Sequence, residues 1–329
     1  MSHDHALRPF VTSIAVTVAV VVGGFIALQA RINGELALEL HDGIVTALIS
    51  FGTGTVVLGL ALLVWSPGRR GIVRIRDAVR ERRMSVWFLF GGVAGALMVV
   101  SQGVTAPIVG VALFTVALVG GQTVGSLILD RRGVGTMPAK PLTLTRMLGA
   151  LLAVGAVAWA VSDRLQTGVP WWLLVLPFVA GAGTSWQQAV NGQLRGASGS
   201  VLSASFVSFL AGTVVLAIAS WIDLASTGAR LEFPAEPWLY AGGVVGIVFI
   251  ASAAAIVPLT GVLLFGLATI VGQLGVAVLL DLLLPVADAG LDLATVGGAA
   301  LAVLALAVAA FRRPGRRARV TDSTGASSR

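Results

Sequence analysis

Long uncharged runs of apolar residues, separated by short charged segments, are the dominant pattern along this chain. A helix that crosses the hydrocarbon core of a bilayer needs about 20 apolar residues, because each residue rises about 1.5 Å across roughly 30 Å. Single runs of this kind are residues 10–30, 43–68, 147–162, 165–194, 196–222 and 293–311. Two further runs, 84–129 and 237–280, are each long enough for two helices, and we divide them at Pro107 and Pro258. The pattern predicts an all-α integral membrane protein with ten transmembrane helices.

Composition supports a membrane protein and excludes several kinds of site. The chain is 57% hydrophobic and 11% charged, whereas a soluble domain carries about 25% charged residues. It has no cysteine, which excludes disulfides, thiolate catalysis and cysteine-based metal sites. The net charge is +7, but the basic residues lie between apolar runs and form no stripe on a soluble fold. We therefore expect a lipid bilayer and a small molecule as partners, and no nucleic acid.

The chain repeats itself, which indicates a duplication. Residues 29–58 align without a gap on 187–216, and residues 87–130 align on 238–281. The first alignment pairs Gln29, Asn33, Ser50 and Phe51 with Gln187, Asn191, Ser208 and Phe209; the second pairs Gly91, Gly92, Gly95, Ser101, Pro107, Gly110, Gln122 and Asp130 with Gly242, Gly243, Gly246, Ser252, Pro258, Gly261, Gln273 and Asp281. We expect a first five-helix repeat over residues 1–165, a second over 166–311, and a basic, disordered cytoplasmic tail over 312–329.

Loop charges indicate that the two repeats have opposite orientations in the membrane. Five helices are an odd number, so the second repeat must enter the bilayer from the other side. The loop after helix two is rich in arginine: Arg69, Arg70, Arg74, Arg76, Arg80, Arg82 and Arg83. Its counterpart after helix seven carries Arg230 with three acids: Asp223, Glu232 and Glu236. The positive-inside rule then places both termini in the cytoplasm, and this is the inverted-repeat plan of secondary transporters.

Several of these motifs resemble the YdcZ-like family of bacterial inner-membrane proteins, within the drug/metabolite transporter superfamily. They are Gln-x-x-x-Asn from Gln29, Ser-Phe-x-x-Gly-Thr from Ser50, Pro-x-x-Gly from Pro107, and the segment from Gly121 through Asp130 that is followed by Arg146-x-x-Gly149. The resemblance covers nearly the whole chain. It implies the ten-helix fold of that superfamily, location in the inner membrane, and alternating access around a central cavity. It implies no particular substrate. Gln273 lacks the serine that follows Gln122 four residues later, so the second repeat is expected to line the site less polarly.

Paired amides inside the predicted spans are the candidate substrate pathway. A polar group in a membrane needs a partner, a cavity or water. Residues four apart share one helix face, as do Gln29 with Asn33 and Gln187 with Asn191. We place both pairs, with weaker candidates, on the pathway: Gln122, Gln273, Ser101, Ser252 and Trp186. The alternatives are hydrogen bonds between helices for the amides, bonds to their own backbone for the serines, and simple packing for Trp186.

Three acids are candidates for coupling or gating. Glu35 could bind a cation or a proton, but its spacing favours an ion pair with Arg31 at the membrane surface. Asp130 and Asp281 end helices four and nine, where an acid opposes the helix dipole. We expect each to have a basic partner, and we favour a solvated boundary charge over a gate. Pro107 and Pro258 are interpreted as helix starts.

These features favour a secondary transporter, an exporter by resemblance, that needs no cofactor and has no catalytic residue or metal site. A membrane-embedded enzyme would need a nucleophile–base set or a metal cluster inside the spans, and no histidine or cysteine lies there. A non-transporting scaffold is the alternative in which the paired amides tolerate apolar replacement. A flippase for a lipid-linked substrate is a variant with a lateral opening. Fused repeats remove the need for a heterodimer and leave a homodimer open.

Overall fold

A computed structural model describes residues 3–134, 143–166, 170–229, 231–249, 252, 262–285 and 293–310. Helices dominate these residues: α1 (His3–Leu40), α2 (Gly43–Val64), α3 (Ser66–Arg80), α4 (Gly91–Val109), α5 (Val111–Arg132), α6 (Leu144–Gln166), α7 (Trp172–Ser198), α8 (Val201–Thr227), α9 (Pro237–Phe249), α10 (Val262–Leu283) and α11 (Leu293–Ala310). A short 3-10 segment, Val86–Phe90, leads into α4. Pro258 and the tail after residue 310 lie outside the described residues.

The described helices have the length and composition of membrane-spanning segments. Five segments are long and apolar enough to cross a bilayer: Ser13–Leu40, Gly43–Val64, Val86–Val109, Val111–Arg132 and Val201–Thr227. Shorter apolar helices run over Met147–Ala160, Pro237–Phe249, Ala268–Leu283 and Leu293–Ala305. Large apolar side chains on α2 such as Leu60 and Leu63 are exposed, as expected where a helix faces lipid. The predicted all-α membrane protein is confirmed.

Several helix boundaries differ from those predicted. Pro107 does not begin a helix, since it lies in the last turn of α4, and Gly110 separates α4 from α5. Gly110 has a φ of 84°, a conformation that a residue with a side chain rarely adopts. The first helix runs ten residues past the predicted end at residue 30, to Leu40, so Gln29 and Asn33 lie inside it. Local backbone chemistry, rather than the longest uncharged run, decides where these helices stop.

The arginine-rich loop after α2 is itself a helix, α3, which the sequence analysis did not predict. Its buried positions are Gly68, Gly71, Ile75 and Ala78, a spacing that puts them on one face. That face packs on α7 and α8. Ile75 and Ala78 share an apolar cluster with Leu194 of α7, and a Cβ at Gly71 would meet the Ser203 side chain of α8. The arginines occupy the remaining surface. Because the sequence analysis looked for uncharged runs, this helix of mixed charged and apolar residues was interpreted as a loop.

α2 and α8 run antiparallel and cross each other. Equivalent residues of the two repeats meet at the crossing. The Phe51 and Phe209 ring centroids are 5.0 Å apart. The Thr55 and Thr213 hydroxyl oxygens are 2.7 Å apart and share a hydrogen bond. Gly68, just after α2, lies against Leu202 near the start of α8, which gives the antiparallel direction.

Glycines allow each repeat to approach the other closely. A Cβ at Gly92 of α4 would lie 1.7 Å from the Ser208 carbonyl oxygen of α8. The equivalent Cβ at Gly243 of α9 would lie 2.1 Å from the Ser50 carbonyl oxygen of α2. Real side chains never approach backbone so closely, so the two contacts require glycine. These paired glycines are therefore helix-packing residues.

The two ends of the helix bundle differ in their prevailing charge. One end, called the basic end, carries α3, Arg131 and Arg132 in the last turn of α5, and Arg195 near the end of α7. The other, called the acidic end, carries these acids: Glu35, Glu39, Asp42, Asp223, Glu232 and Glu236. α8 connects the two, since α3 packs at its start while Leu224 near its end packs against Leu40 and Val45 of the acidic end. The 27 residues of α8 span about 40 Å, so the arginine-rich and acid-rich loops lie at opposite ends.

The Gly92 contact predicts a specific loss of stability. We expect Gly92→Ala to lower the thermal unfolding midpoint of the purified protein, because the new methyl group would clash with the backbone of α8 and push that helix away. Gly52→Ala in α2 is the matched control, since a Cβ there meets nothing within 4 Å. It should raise the midpoint slightly, as alanine favours helix over glycine by about 1 kcal/mol. Equal midpoints for the two variants would contradict the close approach of α4 and α8.

Candidate substrate pathway

The first amide set joins α1 to the helices around it. Asn33 Nδ2 donates a hydrogen bond of 2.6 Å to Gln102 Oε1 of α4. Both side chains are 0% exposed. One turn earlier, Gln29 Nε2 donates a 3.0 Å bond to the Gly242 carbonyl oxygen of α9. Residues four apart on α1 therefore contact one helix from each repeat, as their shared face predicted.

This set retains unused hydrogen-bonding capacity. Among the described residues, Asn33 Oδ1, Ser50 Oγ and Gln102 Nε2 are buried atoms with no partner. A Cβ at Gly242 would lie 2.2 Å from Asn33 Oδ1 and 2.9 Å from Ser50 Oγ, so those two oxygens approach the same glycine. Buried polar atoms normally find partners, and leaving one unpaired costs about 1–3 kcal/mol. The cluster therefore holds unpaired donors and acceptors, and its role in binding a substrate stays a prediction.

The second amide set lies on α7, nearer the basic end. Gln187 Nε2 donates a 3.1 Å bond to Ser208 Oγ of α8, and its amide lies against Gly95 of α4. Gln122 Nε2 of α5 donates a 3.2 Å bond to Thr184 Oγ1 of α7. Asn191, one turn beyond Gln187, is half-buried. Amides from α5 and α7 therefore lie along one interface with hydroxyl partners.

Several equivalent polar residues of the two repeats differ in exposure. Gln29, Asn33 and Gln273 are buried, whereas their counterparts Gln187, Asn191 and Gln122 are half-buried. Ser101 is buried and Ser252 half-buried. Ala30 is 1% exposed and Gly34 is buried, while Gln188 and Gly192 at the equivalent positions are exposed. The polar residues of α1 and α10 are thus more enclosed than their counterparts on α7 and α5.

Trp186 packs at the side of the second set. Its ring meets Phe88 edge-on with centroids 6.2 Å apart, and it belongs to an apolar cluster with Met84, Val190 and Leu194. The ring is half-buried. The packing contact that the sequence analysis gave as the alternative is present, and stacking on a substrate stays a prediction.

Glu35 forms the predicted ion pair with Arg31, since Arg31 Nε donates to Glu35 Oε1. The pair lines a cavity of about 550 Å³ at the acidic end. Glu39, Glu236 and Trp238 line the same cavity. A role for Glu35 in coupling stays a prediction.

Asp281 is not the solvated boundary charge that the sequence favoured. Its side chain is 3% exposed, and it accepts backbone hydrogen bonds from Val111 N at 3.0 Å and Ala112 N at 2.7 Å. These two N–H groups open α5, so a helix N-terminus supplies the positive partial charge that we expected from a basic side chain. Its counterpart Asp130, in the last turn of α5, is half-buried.

The sequence analysis missed several members of these clusters: Gln102, Ser50, Ser208, Thr184 and Ser185. Ser185 Oγ donates a 2.9 Å bond to the Gln122 carbonyl oxygen. Ser50 and Ser208 recur in the alignment of the repeats and could have been found there. Gln102 has no such signal, because its counterpart is Ala253.

A comparison with protein families decides the relationship. A family model described as "Putative inner membrane exporter, YdcZ" matches residues 14–159 and, a second time, residues 171–308. The chain belongs to the DMT YdcZ family. No curated protein matches it. The YdcZ resemblance and the inner-membrane location predicted from sequence are confirmed, and the description places the chain with membrane exporters, a class of transporter rather than enzyme.

The contact between Asn33 and Gln102 yields a test that separates pathway from packing. We expect Asn33→Ala to abolish transport while most of the protein stays folded. If folding falls, adding Gln102→Ala should restore it, because removing both partners leaves no buried group unpaired. The amount of folded protein is measured as the yield from size-exclusion chromatography. Transport is measured as the uptake into proteoliposomes of a polyol, sugar or amide that the wild type carries. A double variant that recovers both folding and transport would assign Asn33 to packing alone.

Proposed function

We propose that this YdcZ-family chain is a secondary transporter that exports a small molecule across the bacterial inner membrane by alternating access. Ten transmembrane helices form two inverted five-helix repeats, over residues 1–165 and 166–311. Both termini and the tail at 312–329 are cytoplasmic. The observation that carries the proposal is the match of each half of the chain to a family of membrane exporters.

The crossing of α2 and α8 supports the inverted arrangement. Two like helices related by a two-fold axis in the membrane plane run antiparallel and bring equivalent residues together where they cross. Phe51 with Phe209 and Thr55 with Thr213 are such contacts. The separation of charge to the two ends of the bundle supports the same topology, with the basic end in the cytoplasm.

Alternating access is the mechanism expected of inverted repeats that are alike in sequence. Each repeat can adopt the environment of the other, since the contacts available to both are similar. Exchange of the two environments moves the access side without moving the substrate site. A substrate bound at that site then faces one side of the membrane in each state.

The proposed pathway is built from neutral polar groups. Its buried residues are Gln29, Asn33, Ser101 and Gln273, and its half-buried residues are Gln122, Gln187, Asn191, Ser252 and Trp186. Apart from Asn33, which lies between Arg31 and Glu35, these residues stand in apolar runs without a charged side chain. Because an ion beside those runs would find little opposite charge to offset its desolvation, recognition by hydrogen bonds to an uncharged polar group fits the lining.

The inverted topology can be tested directly because the chain has no cysteine. Val73→Cys on α3 and Ser226→Cys at the end of α8 each introduce one exposed thiol. In intact cells, a membrane-impermeant maleimide should label residue 226 and leave residue 73 unlabelled until the cells are permeabilised. Labelling of both positions from the same side would remove the inverted arrangement and with it the transport proposal.

Transport itself is tested by flux into proteoliposomes, with and without a pH gradient, over a panel of polyols, sugars, amides and organic cations. We expect the wild type to carry an uncharged polar solute, and Gln187→Leu to reduce that flux at least tenfold, since one amide partner is lost from the pathway. Gln193→Leu, on the same helix but bonded to the Val134 carbonyl oxygen at the basic end, is the control and should retain flux. Absence of flux for the whole panel, together with full tolerance of Gln187→Leu in cells, would favour the scaffold alternative.

A further inference from the structure

The helix α3 connects the ends of two membrane-spanning segments, so it lies at the level of the membrane surface. The span Gly43–Val64 ends just before α3, and the span Val86–Val109 begins shortly after it. Trp65 and Trp87 stand at these two junctions, and both rings are exposed. Exposed tryptophan at the end of a membrane span typically lies among the lipid headgroups. Both flanks of α3 are therefore at headgroup depth.

One face of α3 is occupied by contacts with the second repeat. Gly68, Gly71, Ile75 and Ala78 are buried there, and Ser203 Oγ of α8 donates a 2.7 Å hydrogen bond to the Gly68 carbonyl oxygen. Because α3 belongs to the first repeat and α8 to the second, this face joins the repeats at the basic end. The remaining surface of α3 points away from the bundle.

That outer surface, together with the turn after α3, carries a strong positive charge. Residues 66–83 contain seven arginines and two acids, Asp77 and Glu81. All seven arginines are exposed. Both acids are already in ion pairs, since Arg76 Nη2 lies 3.0 Å from Asp77 Oδ1 and Arg83 Nε lies 2.7 Å from Glu81 Oε2. The acids of this segment therefore leave most of its positive charge without a counter-charge.

Arg69 has a partner of a different kind, because its guanidinium donates a 3.1 Å hydrogen bond to the Leu62 carbonyl oxygen at the end of α2. The other four arginines have no acidic partner among the residues that the structure describes, and together they are called the arginine surface: Arg70, Arg74, Arg80 and Arg82.

Two members of the arginine surface are close neighbours. Arg70 and Arg74 are four residues apart on α3 and therefore share one face of the helix. Like charges at this spacing repel each other, and an anion bound between them would offset the repulsion. The planar guanidinium group binds phosphate through two parallel N–H bonds, which makes arginine better suited to this anion than lysine. The chemistry of the arginine surface therefore fits phosphate groups.

We propose that the arginine surface binds the phosphate groups of anionic phospholipids in the adjoining leaflet. Lipid is the source of phosphate because α3 lies at headgroup depth, where an anionic membrane surface attracts each nearby arginine. Since the opposite face of α3 packs on α7 and α8, a lipid that holds α3 in place also strengthens the contact between the repeats. The proposal adds a lipid partner, and it rests neither on transport nor on which side of the membrane the basic end faces.

The test compares phosphatidylglycerol with phosphatidylcholine of the same acyl chains, since these lipids differ in headgroup charge. Native mass spectrometry measures the binding of each lipid to the purified full-length protein released from detergent micelles. We expect the wild type to bind phosphatidylglycerol about tenfold more tightly. Arg70→Gln with Arg74→Gln should remove most of this preference, because each arginine beside an anionic headgroup contributes about fivefold. Raising ammonium acetate from about 0.1 M to about 0.5 M should weaken the wild-type preference, since salt screens exposed charges.

Arg131→Gln with Arg132→Gln is the matched control. These exposed arginines lie in the last turn of α5 at the same end of the bundle, so this double variant loses the same charge and should keep the wild-type preference. Arg70→Lys with Arg74→Lys keeps the charge of the arginine surface and should still prefer phosphatidylglycerol. If the glutamine double variant on α3 does not fold, Arg80→Gln is compared with Arg131→Gln, and a loss of preference is expected in Arg80→Gln alone.

A second measurement tests the link between lipid and the contact of the repeats. The thermal unfolding midpoint is measured in nanodiscs of phosphatidylcholine with and without phosphatidylglycerol. Phosphatidylglycerol should raise the midpoint of the wild type and of the α5 control by more than that of Arg70→Gln with Arg74→Gln. An equal rise in all three proteins would overturn the role of the lipid in this contact.

Three results would overturn the lipid proposal itself. The first is a wild type that binds both lipids equally. The second is an equal loss of preference in the α3 and α5 glutamine variants, which would assign the effect to net charge rather than to the arginine surface. The third is displacement of phosphatidylglycerol by a similar concentration of glycerol 3-phosphate, which carries the phosphate without acyl chains and would identify a site for a soluble anion.

Discussion

The antiparallel crossing of α2 and α8 is the contact on which the rest of the architecture depends. In a bilayer, apolar surfaces gain little by leaving lipid, so close packing and hydrogen bonds must hold helices together. Here glycine lets backbone meet backbone at Gly92 and Gly243, and the like residues Phe51 and Phe209 pack against each other between them. This symmetric core fixes the two repeats relative to each other and leaves their amide-bearing helices, α1 and α7, free to differ in environment.

Much of this fold could be predicted because its main determinants are visible in the order of residues along the chain. Uncharged runs predict the membrane helices, recurring glycines mark positions where helices pack closely, and the recurrence of Gln, Asn and Ser indicates the duplication. The boundaries were less predictable. The sequence analysis interpreted Pro107 as a helix start, but Pro107 lies inside α4 and the break lies at Gly110, where a positive φ stops the helix. α3 was missed, since its periodicity is visible only once the arginines are recognised as one face.

The candidate site was predicted in its composition but not in its contacts. The shared face of Gln29 and Asn33 follows from their spacing, and so does the ion pair of Arg31 with Glu35. Their partners do not, since Gln102 comes from α4 and Gly242 from the other repeat. The cap on α5 is a still clearer case. An acid at the end of one helix was expected to repel that helix's own dipole, and no local rule shows that it meets the favourable end of another.

The arginine-rich helix α3 has a consequence for how such a chain is made. Only the first repeat carries it, for the equivalent loop of the second repeat is acidic apart from Arg230. If the second repeat were a separate protein, its own few loop arginines would have to determine its orientation in the membrane. The two proteins would also have to be made in matched amounts. On one polypeptide, the odd number of membrane crossings in the first repeat fixes the orientation of the second repeat during insertion. The arginines of α3 therefore orient the whole chain, because they orient the first repeat.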